Sequence, residues 1–175
     1  LVEQILSSHP EIFAGDELNY LPDLVRKNFI LNNEINFSNN INKNTKIFKN
    51  ISIEYINKIK KISNNSNRIT DKLPINFKWI GLIKYILPNS KIIHCVRDPR
   101  DTSLSIFKSY FGSKELNYAY DLNDICEFYN LYLNLMDHWK NNFPNFIIDV
   151  HYENLVMNTE NEIREIIKKC NLRWN

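Results

Sequence analysis

"KIIHCVRDPRDTSLSIF" (residues 91–107) joins an apolar run to an arginine-rich turn and then to a second apolar pattern. The run Ile92–Val96 has the length and the β-branched residues of a buried strand. Pro99 cannot donate a backbone hydrogen bond to a neighbouring strand, so the strand must end before it. The apolar residues from Leu104 onward fit one face of a helix over residues 101–110. We therefore predict a strand-to-helix junction with two arginines in the turn.

Apolar residues elsewhere alternate between the spacing of helices and the composition of short strands. Helices are predicted over residues 1–8, 22–27, 52–62, 76–87, 122–140 and after the capping-box pattern at 159–162. Short strands are predicted around Gly15, over Ile69–Leu73 and over Phe146–Val150. Residues 28–50 are expected to form a loop or an irregular helical insertion, and residues 112–120 a loop. This alternation predicts an α/β fold, a parallel sheet flanked by helices on both faces, with ligands at the carboxyl ends of its strands.

The composition fits one globular domain spanning residues 1–175. Hydrophobic residues make up 43% of the chain and aromatic residues 13%, which excludes a disordered protein. The net charge of +2 is too small to favour nucleic acid or an anionic membrane as a partner, so an anion site would have to be local. No apolar run approaches the roughly 20 residues that a membrane span needs.

Cysteine and histidine lack the spacing of disulfide or metal sites. The cysteines, Cys95, Cys126 and Cys170, are odd in number and far apart. We therefore predict a cytoplasmic protein with inert thiols in its core. The histidines show no metal-ligand spacing, so no metal is expected. His94 alternates within the predicted strand and is expected to be a core histidine.

The junction after the strand has the parts of a phosphate clamp. Arg97 comes directly after the apolar run, and Ser105 follows eight residues later in the predicted helix. The free backbone N–H groups of the first helical turn would face the same crevice as the arginine. A guanidinium, a helix N-terminus and a hydroxyl together suit a phosphate.

A structural explanation of the same residues stays open. Arg97 could pair with Asp98, and Arg100 with Asp101, as surface ion pairs beside a helix that Asp101 or Thr102 caps. Periodicity alone does not decide between this explanation and the phosphate clamp. For Arg100, pairing with Asp101 is the preferred interpretation.

The arginine and serine at this spacing resemble the 3′-phosphate-binding motif of sulfotransferases that use 3′-phosphoadenosine 5′-phosphosulfate (PAPS). Residues 1–24, 71–107 and 138–156 are also similar to segments of that family, whereas residues 28–68 resemble it only weakly. The match is to a bacterial branch often fused to tetratricopeptide repeats and, more distantly, to tyrosylprotein sulfotransferases. The resemblance implies a P-loop-like α/β fold and transfer of a sulfuryl group from PAPS to a hydroxyl or amine acceptor. The product would be adenosine 3′,5′-bisphosphate.

The resemblance also implies roles for single residues. Arg97 and Ser105 would bind the 3′-phosphate of the donor. Lys72 would contact the sulfate and assist the leaving phosphate, although without the resemblance it would be a solvated lysine before a turn. Glu17 would be the general base, with Asp16 as the alternative.

Two further residues matter for this comparison. Tyr152 would lie near the adenine of the donor, or else pack under the last helix while Glu153 serves that helix's N-terminus. Asn19 stands where the tyrosylprotein branch carries a basic residue, which argues against a peptide-tyrosine acceptor. Carbohydrate, lipid, small alcohol and peptide acceptors all remain open, because acceptor loops vary on one fold.

Two other functions compete with the sulfotransferase. A P-loop-related kinase or nucleotide-binding enzyme would need a GxxxxGK[ST] loop, and the sequence contains none. A non-catalytic module would keep the fold while Arg97 and Ser105 serve only structure. Binding of adenosine 3′,5′-bisphosphate separates these possibilities.

The family's 5′-phosphosulfate loop, of the form Pro-Arg-Ser-Gly-Thr-Thr, does not occur in the sequence. That loop wraps the sulfate-bearing phosphate with backbone N–H groups. We therefore expect a truncated sulfotransferase domain with little activity by itself.

Truncation would also leave sheet edges open to pairing with another chain, so we expect a homo-oligomer. Light scattering of the purified chain should give a mass above 20.9 kDa. The mass of a single chain in dilute solution would contradict this expectation.

Overall fold

A computed structural model describes residues 1–31, 34–35, 41–63, 66–112 and 114–175 of the chain. The described residues form two compact units, Leu1–Ser90 and Lys91–Trp174.

The first unit is mostly helical and contains two small strand pairs. Its elements in chain order are α1 (Val2–Ser7), β1 (Ile12–Ala14), α2 (Tyr20–Phe29), β2 (Ile30–Leu31), β3 (Glu34–Ile35), α3 (Ile41–Ile62), β4 (Arg68–Thr70), a 3-10 helix (Pro74–Trp79) and α4 (Ile80–Ile86). β1 and β4 run parallel, and β2 and β3 run antiparallel. The helices form because apolar residues recur every three or four positions, and these side chains make the core. The buried members are Leu6, Leu21, Leu24, Val25, Phe29, Ile51, Tyr55, Ile80, Ile83 and Ile86.

The second unit is built around one parallel strand pair. Its elements are β5 (Ile92–Val96), α5 (Pro99–Lys108), a 3-10 helix (Lys114–Tyr120), α6 (Leu122–Asn142), β6 (Ile147–His151), α7 (Tyr152–Met157) and α8 (Thr159–Lys169). β5 and β6 pair along their whole length, from Ile92 opposite Ile147 to Val96 opposite His151. The apolar core of this unit comes from the strands and from one face of each of α6, α7 and α8. Its buried members include Ile125, Met136, Phe146, Ile148, Val150, Leu155, Ile166 and Ile167.

The predicted α/β class is confirmed, with parallel strands among many helices. The structure places β5 and the long helix α6 where the apolar spacing put them. The region over residues 28–50 was predicted as a loop or irregular helix. Instead it holds β2, β3 and the start of a regular α3, while residues 32–33 and 36–40 of it lie outside the described residues.

Several predicted boundaries were wrong. The strand expected over Ile69–Leu73 ends at Thr70, because Asp71 turns toward α3. The helix expected over 76–87 is a 3-10 helix followed by α4, since Pro74 opens the segment at a first-turn position where its missing N–H costs nothing. The loop expected over 112–120 contains a 3-10 helix at Lys114–Tyr120.

The capping box at 159–162 is not formed. Asn158 precedes α8, and Thr159 lies inside the helix, where its hydroxyl donates to the carbonyl of Val156 (3.3 Å). The short helix α7 directly before it was not predicted.

The expectation of three core thiols was also wrong. Cys170 is buried, whereas Cys95 and Cys126 are exposed. Within the described ranges, no helix is long and apolar enough to cross a membrane. The same part of the chain contains no cluster of histidine, cysteine and carboxylate groups that could hold a metal ion.

Gly15 provides a direct test of the β1–β4 pair. A Cβ at this position would lie 2.2 Å from the backbone carbonyl oxygen of Thr70, so Gly15→Ala must push the strands apart. We expect Gly15→Ala to lower the free energy of unfolding by about 1–3 kcal/mol in chemical denaturation.

Gly112→Ala is the matched control, because no heavy atom of the described residues, apart from its chain neighbours, lies within 4 Å of the added Cβ there. Equal effects of the two substitutions would contradict the close packing at Gly15.

Candidate functional site

The carboxyl ends of β1 and β4 remain joined for a short distance beyond the strands. The backbone N–H of Gly15 donates to the carbonyl of Thr70 (3.1 Å), and the N–H of Lys72 donates to the carbonyl of Asp16 (2.9 Å). Asp16 has a φ of 57°, the left-handed region that aspartate adopts more readily than most residues. This turn is what brings the segments after the two strands together.

Lys72 and Glu17, both predicted catalytic residues, are in direct contact. The Nζ of Lys72 lies 2.6 Å from Oε1 of Glu17 and 3.1 Å from Oδ1 of Asp16. The bond to Glu17 and the nearby carboxylate of Asp16 raise the pKa of Lys72. All three side chains are largely exposed, so the ion pairs contribute little to stability and can be exchanged for a ligand.

A partly buried hydrogen-bond network lies next to Lys72. The hydroxyl of Tyr55 in α3 donates to Oδ2 of Asp71 (2.6 Å), and the amide of Asn76 donates to Oδ1 (3.2 Å). Burial raises the pKa of the Asp71 carboxyl. Burial also raises the pKa of the Tyr55 hydroxyl, which therefore stays a donor. Asp71 is thus held against α3, whereas the side chain of the next residue, Lys72, contacts Asp16 and Glu17.

The strand-to-helix junction of the second unit is capped by Asp98, not by Asp101 or Thr102 as predicted. Oδ1 of Asp98 accepts from the backbone N–H of Arg100 (2.8 Å). The helix starts earlier than the apolar pattern indicated, because Pro99 takes its first position. The hydrogen bonds from Arg100 hold the pKa of the Asp98 carboxyl at about 2.

Each arginine pairs with the aspartate that was expected to pair with the other arginine. Arg100 binds Asp98 through its Nε (3.1 Å) and its Nη2 (2.9 Å), so its predicted pairing with Asp101 was wrong. Arg97 instead lies 3.6 Å from the Asp101 carboxylate. Arg100 is therefore committed to the helix cap, whereas Arg97 is held only loosely.

Arg97, Ser105 and Tyr152, the predicted donor-binding residues, lie in the same unit. The guanidinium of Arg97 stacks over the ring of Tyr152, 5.0 Å from its centre. Asp101, its ion-pair partner, precedes Ser105 by four residues in α5, and residues so spaced share one helix face. Arg97, Ser105 and Tyr152 are all exposed. An anion reaching Arg97 would thus meet an unburied cation beside a hydroxyl-bearing helix face and an aromatic ring.

Glu153 connects α7 to the junction. Its Oε1 accepts from the backbone N–H of Asp98 (2.9 Å), and this bond lowers the pKa of the Glu153 carboxyl. Glu153 therefore serves the start of α5, whereas the structural alternative placed it at the N-terminus of the last helix. Tyr152 is the first residue of α7 and contacts Arg97, so it does not pack under the last helix as that alternative required.

Two groups near these residues were missed by sequence reasoning. Tyr55 lies on the apolar stripe of α3, where a tyrosine is indistinguishable from a core aromatic residue. Asp149 lies inside a strand of apolar residues, and its carboxylate contacts His94 and Lys140. A charged residue within a predicted buried strand was the signal that could have identified it.

Comparisons with known proteins now identify the class. The chain has an α/β architecture with parallel strand pairs, and the cationic side chains of Lys72 and Arg97 follow strand ends. The sequence model of the Sulfotransferase family matches residues 1–175, and the chain belongs to that family.

Similar proteins include one without an assigned function and two with sulfotransferase names. An uncharacterized protein of Aquifex aeolicus (strain VF5) is 30% identical over 99% of this chain and 24% of its own length. Proteins of Caenorhabditis briggsae and Caenorhabditis elegans, each called "Putative protein-tyrosine sulfotransferase", are 26% and 27% identical over 100% and 98% of this chain. This chain spans 62% and 65% of those two nematode proteins.

The Tyr55–Asp71 bond can be tested by removing one hydroxyl. Tyr55→Phe leaves a half-buried carboxylate with one donor fewer, so the free energy of unfolding should fall by about 1–2 kcal/mol in urea denaturation. Tyr85→Phe is the control, because Tyr85 is also in the first unit but is 70% exposed. A loss of similar size in both variants would show that the Asp71 network contributes nothing specific.

Proposed function

We propose that this chain carries donor-binding and catalytic residues of an enzyme that transfers a sulfuryl group from PAPS to a hydroxyl or amine acceptor. Membership of the sulfotransferase family supports the reaction class. The observation that carries the proposal is the state of Arg97, which is exposed, weakly paired with Asp101 at 3.6 Å, and stacked on Tyr152.

Arg97 is suited to the 3′-phosphate of the donor. A guanidinium offers several donors in a fixed plane and binds phosphate through two parallel hydrogen bonds. Its present partner, Asp101, is an exposed carboxylate at a distance beyond a good hydrogen bond, so a phosphate competes with it at small cost. Ser105 would add a hydroxyl from the same face of α5. Tyr152 would offer a ring for the nucleoside once the arginine turns toward the phosphate.

Lys72 and Glu17 would serve the transfer itself. The bond between sulfur and the bridging oxygen of the donor breaks as a new bond forms from sulfur to the acceptor oxygen or nitrogen. Negative charge grows on the leaving phosphate, and the ammonium of Lys72 stabilises that charge. The acceptor loses a proton, which the carboxylate of Glu17 accepts. Adenosine 3′,5′-bisphosphate is the second product.

The contact between Lys72 and Glu17 has a consequence for this mechanism. While they are paired, the carboxylate of Glu17 raises the pKa of Lys72, so the lysine holds the positive charge that its role needs. The raised pKa of Lys72 keeps it a cation across the neutral range. Asp16 provides a second carboxylate to the same lysine and is the alternative base.

Nucleotide binding tests the role of Arg97 directly. By isothermal calorimetry, the chain should bind adenosine 3′,5′-bisphosphate more tightly than adenosine 5′-phosphate, which lacks the 3′-phosphate. Arg97→Ala should weaken bisphosphate binding by about tenfold or more, because a charge-assisted pair of hydrogen bonds is lost.

Arg100→Ala is the matched control in the same turn. Its guanidinium is committed to Asp98, so bisphosphate affinity should change by less than about twofold. Equal losses in the two variants would sink the assignment of Arg97. A preference for ATP would favour a kinase, and no nucleotide binding at all would favour a non-catalytic module.

A further inference from the structure

A chain of polar side chains crosses the packed face between α6 and the β5–β6 pair. Nδ1 of His94 lies 2.7 Å from Oδ1 of Asp149, and Oδ2 of Asp149 lies 2.8 Å from Nζ of Lys140. At its other ring nitrogen, Nε2, His94 is hydrogen-bonded to the hydroxyl of Tyr132. The side chain of His94 is only 12% exposed. His94 was predicted to be a core histidine, and the structure places it in a four-residue hydrogen-bonded array.

The contacts fix where the protons lie. A carboxylate only accepts, so Nδ1 of His94 carries a hydrogen and donates to Asp149. Burial lowers the pKa of His94, so its ring is neutral at neutral pH and Nε2 accepts from the Tyr132 hydroxyl. Burial raises the pKa of Tyr132 to about 12, which keeps that hydroxyl a donor. Against the effect of burial, the bonds from Lys140 and His94 lower the pKa of Asp149, whose carboxylate accepts from both.

The array lies directly before the candidate donor-binding residues. His94 and Asp149 are paired across the strands, so their side chains share one face of the sheet. Arg97 follows His94 by three residues, and Tyr152 follows Asp149 by three. The His94–Asp149 pair thus lies two residues before the last paired residues of the strands, Val96 and His151.

We propose that the Lys140–Asp149–His94–Tyr132 array positions the ends of β5 and β6 so that Arg97 is presented on Tyr152 for the donor's 3′-phosphate. This inference rests on the proposed function for the identity of the ligand. The four residues are positioning residues, since none of them is among the groups assigned to the ligand.

The arrangement of α6 explains how the array can hold a position. Tyr132 and Lys140 are eight residues apart, so the two contacts that α6 makes with the strands through them lie about 12 Å apart along the helix. Two contacts at this separation restrict both translation and rotation of α6 on the strand pair. One more bond, from the backbone N–H of Asp98 to Glu153, fixes the junction on the opposite side of Arg97. Arg97 is therefore held between anchored segments although its own side chain is exposed.

Protonation of His94 should disturb the array. The titratable groups around the ring are Asp149 and His151 on β6, Lys140, Tyr132 and Tyr129 on α6, and Cys95 beside it. A proton on Nε2 reverses the bond to Tyr132 and adds a positive charge near Lys140. The pKa of His94 in the folded chain is below its ordinary value. The stabilisation that the neutral His94 ring gives is therefore complete above about pH 6.5, and it is lost as the pH falls from there toward the pKa of His94 in the folded chain.

The experiment uses nuclear magnetic resonance on the whole chain, with calorimetry as a second measurement. Tyr132→Phe removes one hydroxyl and leaves the ring in place. The cross-peak between the Arg97 Nε–H and the Tyr152 ring should weaken or shift, and affinity for adenosine 3′,5′-bisphosphate should fall about fivefold to tenfold. Tyr118→Phe is the control, because Tyr118 is a half-buried tyrosine of the same unit that stacks on Phe128 of α6.

Acidification gives a readout that a purely structural role would not produce. Arginine side chains are not deprotonated in proteins, so the Arg97 Nε–H signal should move only if its surroundings move. We expect that signal to shift with the same midpoint as the ring nitrogens of His94, in the absence of nucleotide. His151 also precedes Tyr152, and its own ring signals allow its midpoint to be separated from that of His94.

The outcomes are distinct. An Arg97 signal unchanged in folded Tyr132→Phe overturns the proposal, as does a His94 ring protonated on Nε2 alone at neutral pH. If Tyr132→Phe does not fold, an Arg97 signal that ignores the titration of His94 in the wild-type chain overturns it equally. If the Arg97–Tyr152 contact depends on the array but the wild-type chain binds no bisphosphate, the positioning holds and the proposed function fails.

Discussion

Parallel strand register is the constraint on which both groups of candidate site residues depend. The last residues of β5 and β6 are paired, so Arg97 and Tyr152 occupy the next positions along neighbouring strands and meet through guanidinium and ring. In the first unit, the β1–β4 register continues to Asp16 and Lys72, and the turn at Asp16 brings Glu17 within hydrogen-bonding distance of Lys72. A slip of one residue in either pair would turn these side chains to the other face of the strands.

Each strand end combines a cation with carboxylates that neutralise it only loosely. Lys72 contacts two exposed carboxylates, and Arg97 contacts one at 3.6 Å. Exposed ion pairs of this kind contribute little to folding, so an anionic ligand can replace the carboxylates without destabilising the protein. Arg100 shows the contrast, because its hydrogen bonds to Asp98 also cap α5. The second arginine of the junction is structural, and this explains how two arginines in one turn differ in availability.

The sequence was informative wherever a local pattern carries the structure. Apolar spacing was enough for β5 and α6, whereas Arg97 was singled out by the resemblance to sulfotransferases, and its role stays a prediction. The cap residue was not predictable from spacing, since the choice of Asp98 over Asp101 depends on Pro99 taking the first helical position. The bond from Tyr55 to Asp71 joins residues in separate elements, and no local pattern marks such a contact.

His94 illustrates why the hydrogen-bonded array could not be predicted from the sequence. Polar residues inside short apolar strands are costly unless every polar atom finds a partner, and sequence does not reveal the partner. Here both ring nitrogens are satisfied, one by a strand neighbour and one by α6, and Asp149 is balanced by Lys140. An apolar pair at these positions would join strand and helix without fixing their alignment, because hydrophobic contact is not directional. The array supplies that direction, and the strand ends that carry Arg97 lie immediately beyond it.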